Sequence, residues 1–155
     1  PTLDAVAAHV ESVADDKKDG NRCVMLEIGP KEGTVAPQAL ERTYLAVQSP
    51  PARLPPGSWV RISARVRIPG PITASTDGAL IYDHAGGEPL AIRLTGTTDW
   101  KTYTFYRKVP ADGQVYVTLA MTGLGKVYFD DVRIEPLGGR EPTESITSGT
   151  SAANK

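Results

Sequence analysis

Apolar and polar residues alternate most cleanly in SWVRISARVRIP. Val60, Ile62, Ala64, Val66 and Ile68 fall on one side and Trp59, Arg61, Ser63, Arg65 and Arg67 on the other. A period of two marks a strand with one buried face. PLAIRL repeats the pattern with Leu90, Ile92 and Leu94, and so does QVYVTLAMT, where Val115, Val117, Leu119 and Met121 alternate with Tyr116, Thr118, Ala120 and Thr122. CVMLEI is a near-continuous apolar run, and RTYLAVQS, GALIYDH and KVYFDDVRIEPL read as further strands. In the segment after Trp100, Tyr103 and Phe105 take one parity and Thr104 and Tyr106 the other, the outward one.

Turn signals separate these runs. PPARLPPG must be a stiff, extended connection, because proline fixes its own φ and biases its predecessor away from helix. Gly86-Gly87 and the ADG at 111–113 are turns. Many short strands at even spacing predict an all-β fold, an antiparallel β-sandwich. Three segments depart from the pattern. Leu3, Val6, Val10 and Val13 recur at helical spacing in an alanine-rich stretch, which predicts a short amphipathic helix within residues 1–19. Residues 29–41 read as a loop with a short helical turn, and residues 138–155 as a polar, disordered tail or linker. One β-sandwich domain over residues 20–137 accounts for the remainder.

The length of 155 residues suits one such core and is short for two. Thirteen prolines and fifteen glycines favour strands and turns over long helices. A net charge of -1 gives no field that would draw the chain onto nucleic acid or an anionic membrane surface. No run of 18 apolar residues could form a spanning helix. Cys23 is the only cysteine, so no disulfide forms within the chain. The chain starts at Pro1 without a methionine and reads as a piece of a larger protein with other domains.

No reaction is announced. His9 and His84 are far apart, with no neighbour at metal-ligand spacing, and no Gly-x-Ser-x-Gly elbow occurs. Asp130 and Asp131 are adjacent on a strand and point to opposite faces, unsuited to paired acid and base work. The expectation is a protein that is not an enzyme.

The last third carries a resemblance. Trp100 opens a strand after TTD, Lys108, Val109 and Pro110 precede the penultimate strand, and Phe129-Asp130-Asp131-Val132 closes the domain, while LPPGSWVRISARVRI supplies a Pro-Gly-aromatic strand start. This arrangement resembles galactose-binding-like jelly rolls, the fold of carbohydrate-binding modules on secreted bacterial glycoside hydrolases. The resemblance implies a jelly-roll sandwich and non-catalytic binding of a polysaccharide on behalf of a larger, extracellular or cell-envelope protein. No cofactor is required by it. It does imply a structural calcium for which Asp130 is the ligand by position, with Glu11, Asp15 or Glu27 as candidate acidic partners. Without the ion, the two aspartates flank a bulge and pair with arginine or backbone N–H groups.

A pyranose has C–H faces that stack on rings and rim hydroxyls that need polar partners. Candidates for that work are Trp59 and Arg65 on the polar side of one strand, Tyr106 on the outward parity of another, and the cluster Tyr82, Asp83, His84 before the Gly-Gly turn. Trp100 is expected to plug the core. The competing expectation is a structural spacer or protein-docking sandwich, in which Arg61, Arg65 and Arg67 are a solvated face.

Overall fold

A computed structural model describes residues 6–14, 22–30 and 45–138 of the chain. Of the segment 29–41 expected as a loop with a helical turn, Gly29 and Pro30 end a strand and the rest lies outside the described residues, as does all but the first residue of the tail expected from 138. Within them are eleven strands: β1 (Val6–Ala14), β2 (Arg22–Pro30), β3 (Leu45–Gln48), β4 (Ala52–Arg53), β5 (Trp59–Ile68), β6 (Ala79–Asp83), β7 (Ile92–Leu94), β8 (Thr98–Lys108), β9 (Gln114–Val115), β10 (Val117–Met121) and β11 (Gly125–Pro136). Five make one sheet in the order β1-β2-β11-β5-β8, four make a second in the order β3-β10-β6-β7, and β4 pairs with β9. Every pairing between these strands is antiparallel. The fold is an all-β sandwich.

The core follows the alternation. Val60, Ile62, Ala64, Val66 and Ile68 of β5 are all at most 1% exposed. They meet Leu26 and Ile28 of β2, Phe105 of β8 and Val127 and Phe129 of β11, and from the second sheet Ile81, Val117, Leu119 and Met121. Burying a side chain of this size contributes about 1.5–3 kcal/mol.

Four expectations are corrected. Residues 6–14 form a strand, not a helix, in register with β2 from Val6 opposite Pro30 to Ala14 opposite Arg22. Val6 and Val10 satisfy both a helical and a two-residue period, and hydrogen bonding to β2 decides between them. Leu90 does not share a strand face with Ile92 and Leu94; it ends a 3-10 turn at Glu88–Leu90 and is 46% exposed. β10 is not half-buried, since Thr118, Ala120 and Thr122 are covered as well as Val117, Leu119 and Met121. Trp100 does not join the core and is half-buried at the surface of β8.

Tyr103 sits in the core at 7% exposure, and burial pushes its phenol above the ordinary value. The unfolded chain then loses this proton first. Stability present below about pH 10 is therefore lost as pH rises through the phenol range. Urea unfolding should show lower stability at about pH 11 than at about pH 8, with a smaller difference in Tyr103→Phe. An unchanged difference in that variant would remove Tyr103 as the cause.

Candidate functional site

Residues directly opposite on neighbouring strands share a face of the sheet. On the five-stranded sheet, Trp59 lies opposite Lys108, Arg61 opposite Tyr106, and Arg65 opposite Thr102 on one side and Asp130 on the other. Arg67 faces Tyr128. Alternation therefore turns the Trp59, Arg65 and Tyr106 of the sequence reading outward on one surface. Trp100, Tyr128, Arg61, Arg67 and Glu135 join them; sequence reasoning placed Trp100 in the core and the arginines on a solvated face, and it missed Tyr128 and Glu135 as site residues. The parity shared by Trp100 with Tyr106, and by Tyr128 with Asp130, was the available signal.

Cations and rings are layered across this face. The guanidinium carbon of Arg65 stands 4.7 Å from the Trp100 ring centre, and that of Arg67 5.4 Å from Tyr128. Lys108 Nζ lies 6.0 Å from the Trp59 ring centre. Such contacts are worth about 0.5–2 kcal/mol, more where water is excluded. Arg65 also pairs with Asp130 at 3.3 Å, both side chains being largely buried. Arg61 pairs with Glu135 at 3.3 Å, and that carboxylate, by hydrogen bond and charge, raises the guanidinium above its ordinary value. Arg61 also interacts with Tyr106. Tyr106 is only 5% exposed despite its outward parity, which corrects the open position expected for it.

The other cluster separates. Tyr82 is half-buried on β6, opposite Thr118 of β10. Asp83 turns inward and is fully buried, because a carboxylate between the sheets has the cation and N–H groups it requires. Arg107 Nε donates to its Oδ1 at 2.7 Å, and the N–H groups of Ala85 and Gly86 donate to Oδ2 at 3.1 and 3.0 Å. The expectation of Asp83 as a surface residue beside Tyr82 is thus corrected. His84 stacks on Tyr116 with ring centres 4.3 Å apart, and its Nδ1 accepts the Tyr116 N–H at 3.5 Å. Its Nε2 is buried without a partner among the described residues.

Asp130 was the expected calcium ligand. Its Oδ1 accepts the Asp131 N–H at 2.7 Å, and Arg65 occupies its other oxygen. Asp131, at φ 51°, pairs with Arg133 at 2.9 Å beside a register shift between Asp130 and Arg133. A calcium ion needs six or more oxygens. Among the described residues no group of three His, Cys, Asp or Glu side chains gathers, and a guanidinium already supplies the positive charge at Asp130. Asp15, one of the acidic partners expected for a calcium ion, lies outside the described residues.

A cleft of about 390 Å³ opens beyond the end of the same sheet, lined by Glu27, Pro30, Pro69, Pro71, Leu124 and Lys126 among others. Lys126 and Glu27 pair across its rim at 3.5 Å. Among the described residues no aromatic side chain lines it. No helix among the described residues is long and apolar enough to cross a membrane.

No family model matches the chain, and no curated protein does. Solved structures do. The carbohydrate-binding module CBM4 aligns at 20% identity over 83% of this chain and 77% of its own, with a TM-score of 0.52. The enzymatically active domain of tailspike protein 4 from bacteriophage CBA120 aligns at 10% identity over 86% of this chain, with a TM-score of 0.58; this chain spans 19% of it. The module CBM6cm-2 of Cellvibrio mixtus lichenase 5A, solved with cellotriose, aligns at 19% identity over 83% of this chain and 86% of its own, with a TM-score of 0.46. The chain is a jelly-roll β-sandwich of the kind seen in carbohydrate-binding modules.

Proposed function

We propose that the chain is a non-catalytic carbohydrate-binding module of a larger, exported protein, and that sugar binds on the outward face of the five-stranded sheet. One observation carries the reading. Trp59, Trp100 and Tyr128, all half-buried, share that face with Arg61, Arg65, Arg67, Asp130 and Glu135. Rings supply the stacking surface, and the charged groups hydrogen-bond rim hydroxyls as donors and acceptors. Held by ion pairs, Arg61 with Glu135 and Arg65 with Asp130 are oriented before sugar arrives, which lowers the entropic cost of binding. A shallow site of this kind binds with affinities of roughly micromolar to millimolar. The named neighbour CBM4 supports the assignment by fold.

A spacer or protein-docking role is the second reading, favoured by one feature. Arg65, Arg67 and Lys108 each already stand over a ring. A sugar must take an uncovered ring face or displace a cation.

Calorimetry against a panel of soluble polysaccharides and oligosaccharides separates the two. Trp59→Ala or Trp100→Ala should weaken binding about tenfold or more, since a stacked ring is worth on the order of 1.5 kcal/mol. Tyr82→Ala, on the other sheet, should leave it unchanged. No binding to any member of the panel, or loss only with Tyr82→Ala, would reject this face as the site.

A further inference from the structure

We infer that β1 is a self-complementary edge through which two copies of this chain pair, joining their five-stranded sheets into one. β1 is the terminal strand of its sheet, hydrogen-bonded to β2 on one side and to no strand among the described residues on the other. Nine residues long, VAAHVESVA contains neither proline nor lysine. Proline and lysine are the residues that commonly block an edge. Ala7 to Ser12 are exposed, and Val10 is one of two large apolar side chains left exposed among the described residues, at 43%. Ala7 to Val13 are not among the described core residues or those packed against them, and the extensive contacts of β1 are with β2.

The order of residues selects the partner. Set antiparallel to a second copy of itself about Val10, the strand pairs residues whose numbers sum to 20. Val10 then meets Val10, Ala8 meets Ser12, Ala7 meets Val13, Val6 meets Ala14 and His9 meets Glu11, twice. The two-fold makes each contact self-matching, as an isologous interface requires. No like charges oppose. His9 and Glu11 already lie 3.5 Å apart on one face within a single strand, so pairing sets two imidazoles and two carboxylates in a ring. Along the outward face the row would run Lys126, Glu27, His9, then Glu11 of the second copy, alternating in sign whenever the imidazole is protonated. On the opposite face, apolar Val10 side chains meet on the axis. An edge strand of a different protein would gain the backbone hydrogen bonds but not this pairing of side chains.

Sedimentation velocity of the full chain over a concentration series tests it. A monomer–dimer equilibrium is expected. Val10→Lys sets two cations on the axis, and His9→Glu opposes two carboxylate pairs; each should weaken association by about tenfold or more. Adding Glu11→Lys to His9→Glu should restore it. All three positions are exposed, and an unchanged melting midpoint of the dilute protein certifies that the variants fold. A chain that stays monomeric at every concentration overturns the inference. So does a dimer indifferent to Val10→Lys and to the charge reversal, which would place the contact on another surface.

Discussion

Replacing Asp83 with alanine is expected to lower stability by about 3–5 kcal/mol, the cost of leaving one member of a buried ion pair alone. Asp83 is fully buried and the Arg107 side chain 10% exposed, with 2.7 Å between the charged atoms. The pair joins β6 of one sheet to β8 of the other. Its loss strands the Arg107 guanidinium, whose remaining acceptors are the carbonyls of Tyr106 and Leu90 at 2.8 and 3.4 Å, and frees two N–H groups of the turn. For a chain of this length the melting midpoint should fall by roughly 10–15 °C. The double change Asp83→Leu with Arg107→Met should recover much of it, because an apolar pair of similar volume has no charge to desolvate. A loss below about 1 kcal/mol for the single change would mean that water reaches the pair and that the sheets are not clamped there. Gly86 belongs to the same arrangement. A Cβ there would stand 2.9 Å from Arg107 Nε and 3.0 Å from Asp83 Oδ1, so the turn can approach the pair only as glycine.

Gly123→Ala should cost about 2–5 kcal/mol, from a left-handed backbone and a steric overlap acting together. Gly123 has φ 94°, and its missing Cβ would fall 2.4 Å from the Thr73 carbonyl oxygen. The obstacle is backbone, held by reciprocal hydrogen bonds of 2.9 and 2.7 Å between Thr73 and Leu124. It cannot rotate aside as a side chain could. Ser75 and Thr122 hydroxyls 2.6 Å apart fix the same crossing. Gly70→Ala is the control, with nothing within 4 Å and no positive φ, and should change stability by no more than about 0.5 kcal/mol. Equal midpoints in thermal melts of the two variants would show that the crossing yields.

Legibility followed periodicity. β5 could be read residue by residue, because one of its faces is buried and the other is not. β10 was misread as half-buried since its second face carries Thr118, Ala120 and Thr122, small or weakly polar residues that local sequence cannot distinguish from a wet surface. β1 was misread for a different reason: alanines and spaced valines satisfy a helix, and only a partner distant in sequence makes them a strand. Among the site candidates, parity brought Trp59, Arg65 and Tyr106 to one face, yet it assigned Asp83 by chemistry alone. Its partner Arg107 is 24 residues away, and a carboxylate without a visible counter-ion reads as surface. Asp130 and Asp131 at a bulge were anticipated as one of two alternatives, and the arginines that meet them, Arg65 and Arg133, lie on a neighbouring strand and two residues further on.

That bulge gives the closing strand two reading frames. Val127 and Phe129 contribute to the core from odd positions, whereas Val132 and Ile134 pack against it from even ones, with Asp131 absorbing the extra residue. A search that slides a single two-residue phase from Gly125 to Pro136 would discard half of the inward side chains and score a sound strand as a broken one. The phase change also makes the strand intolerant of miscounting: a residue gained or lost between Asp130 and Arg133 would transpose everything downstream to the opposite surface.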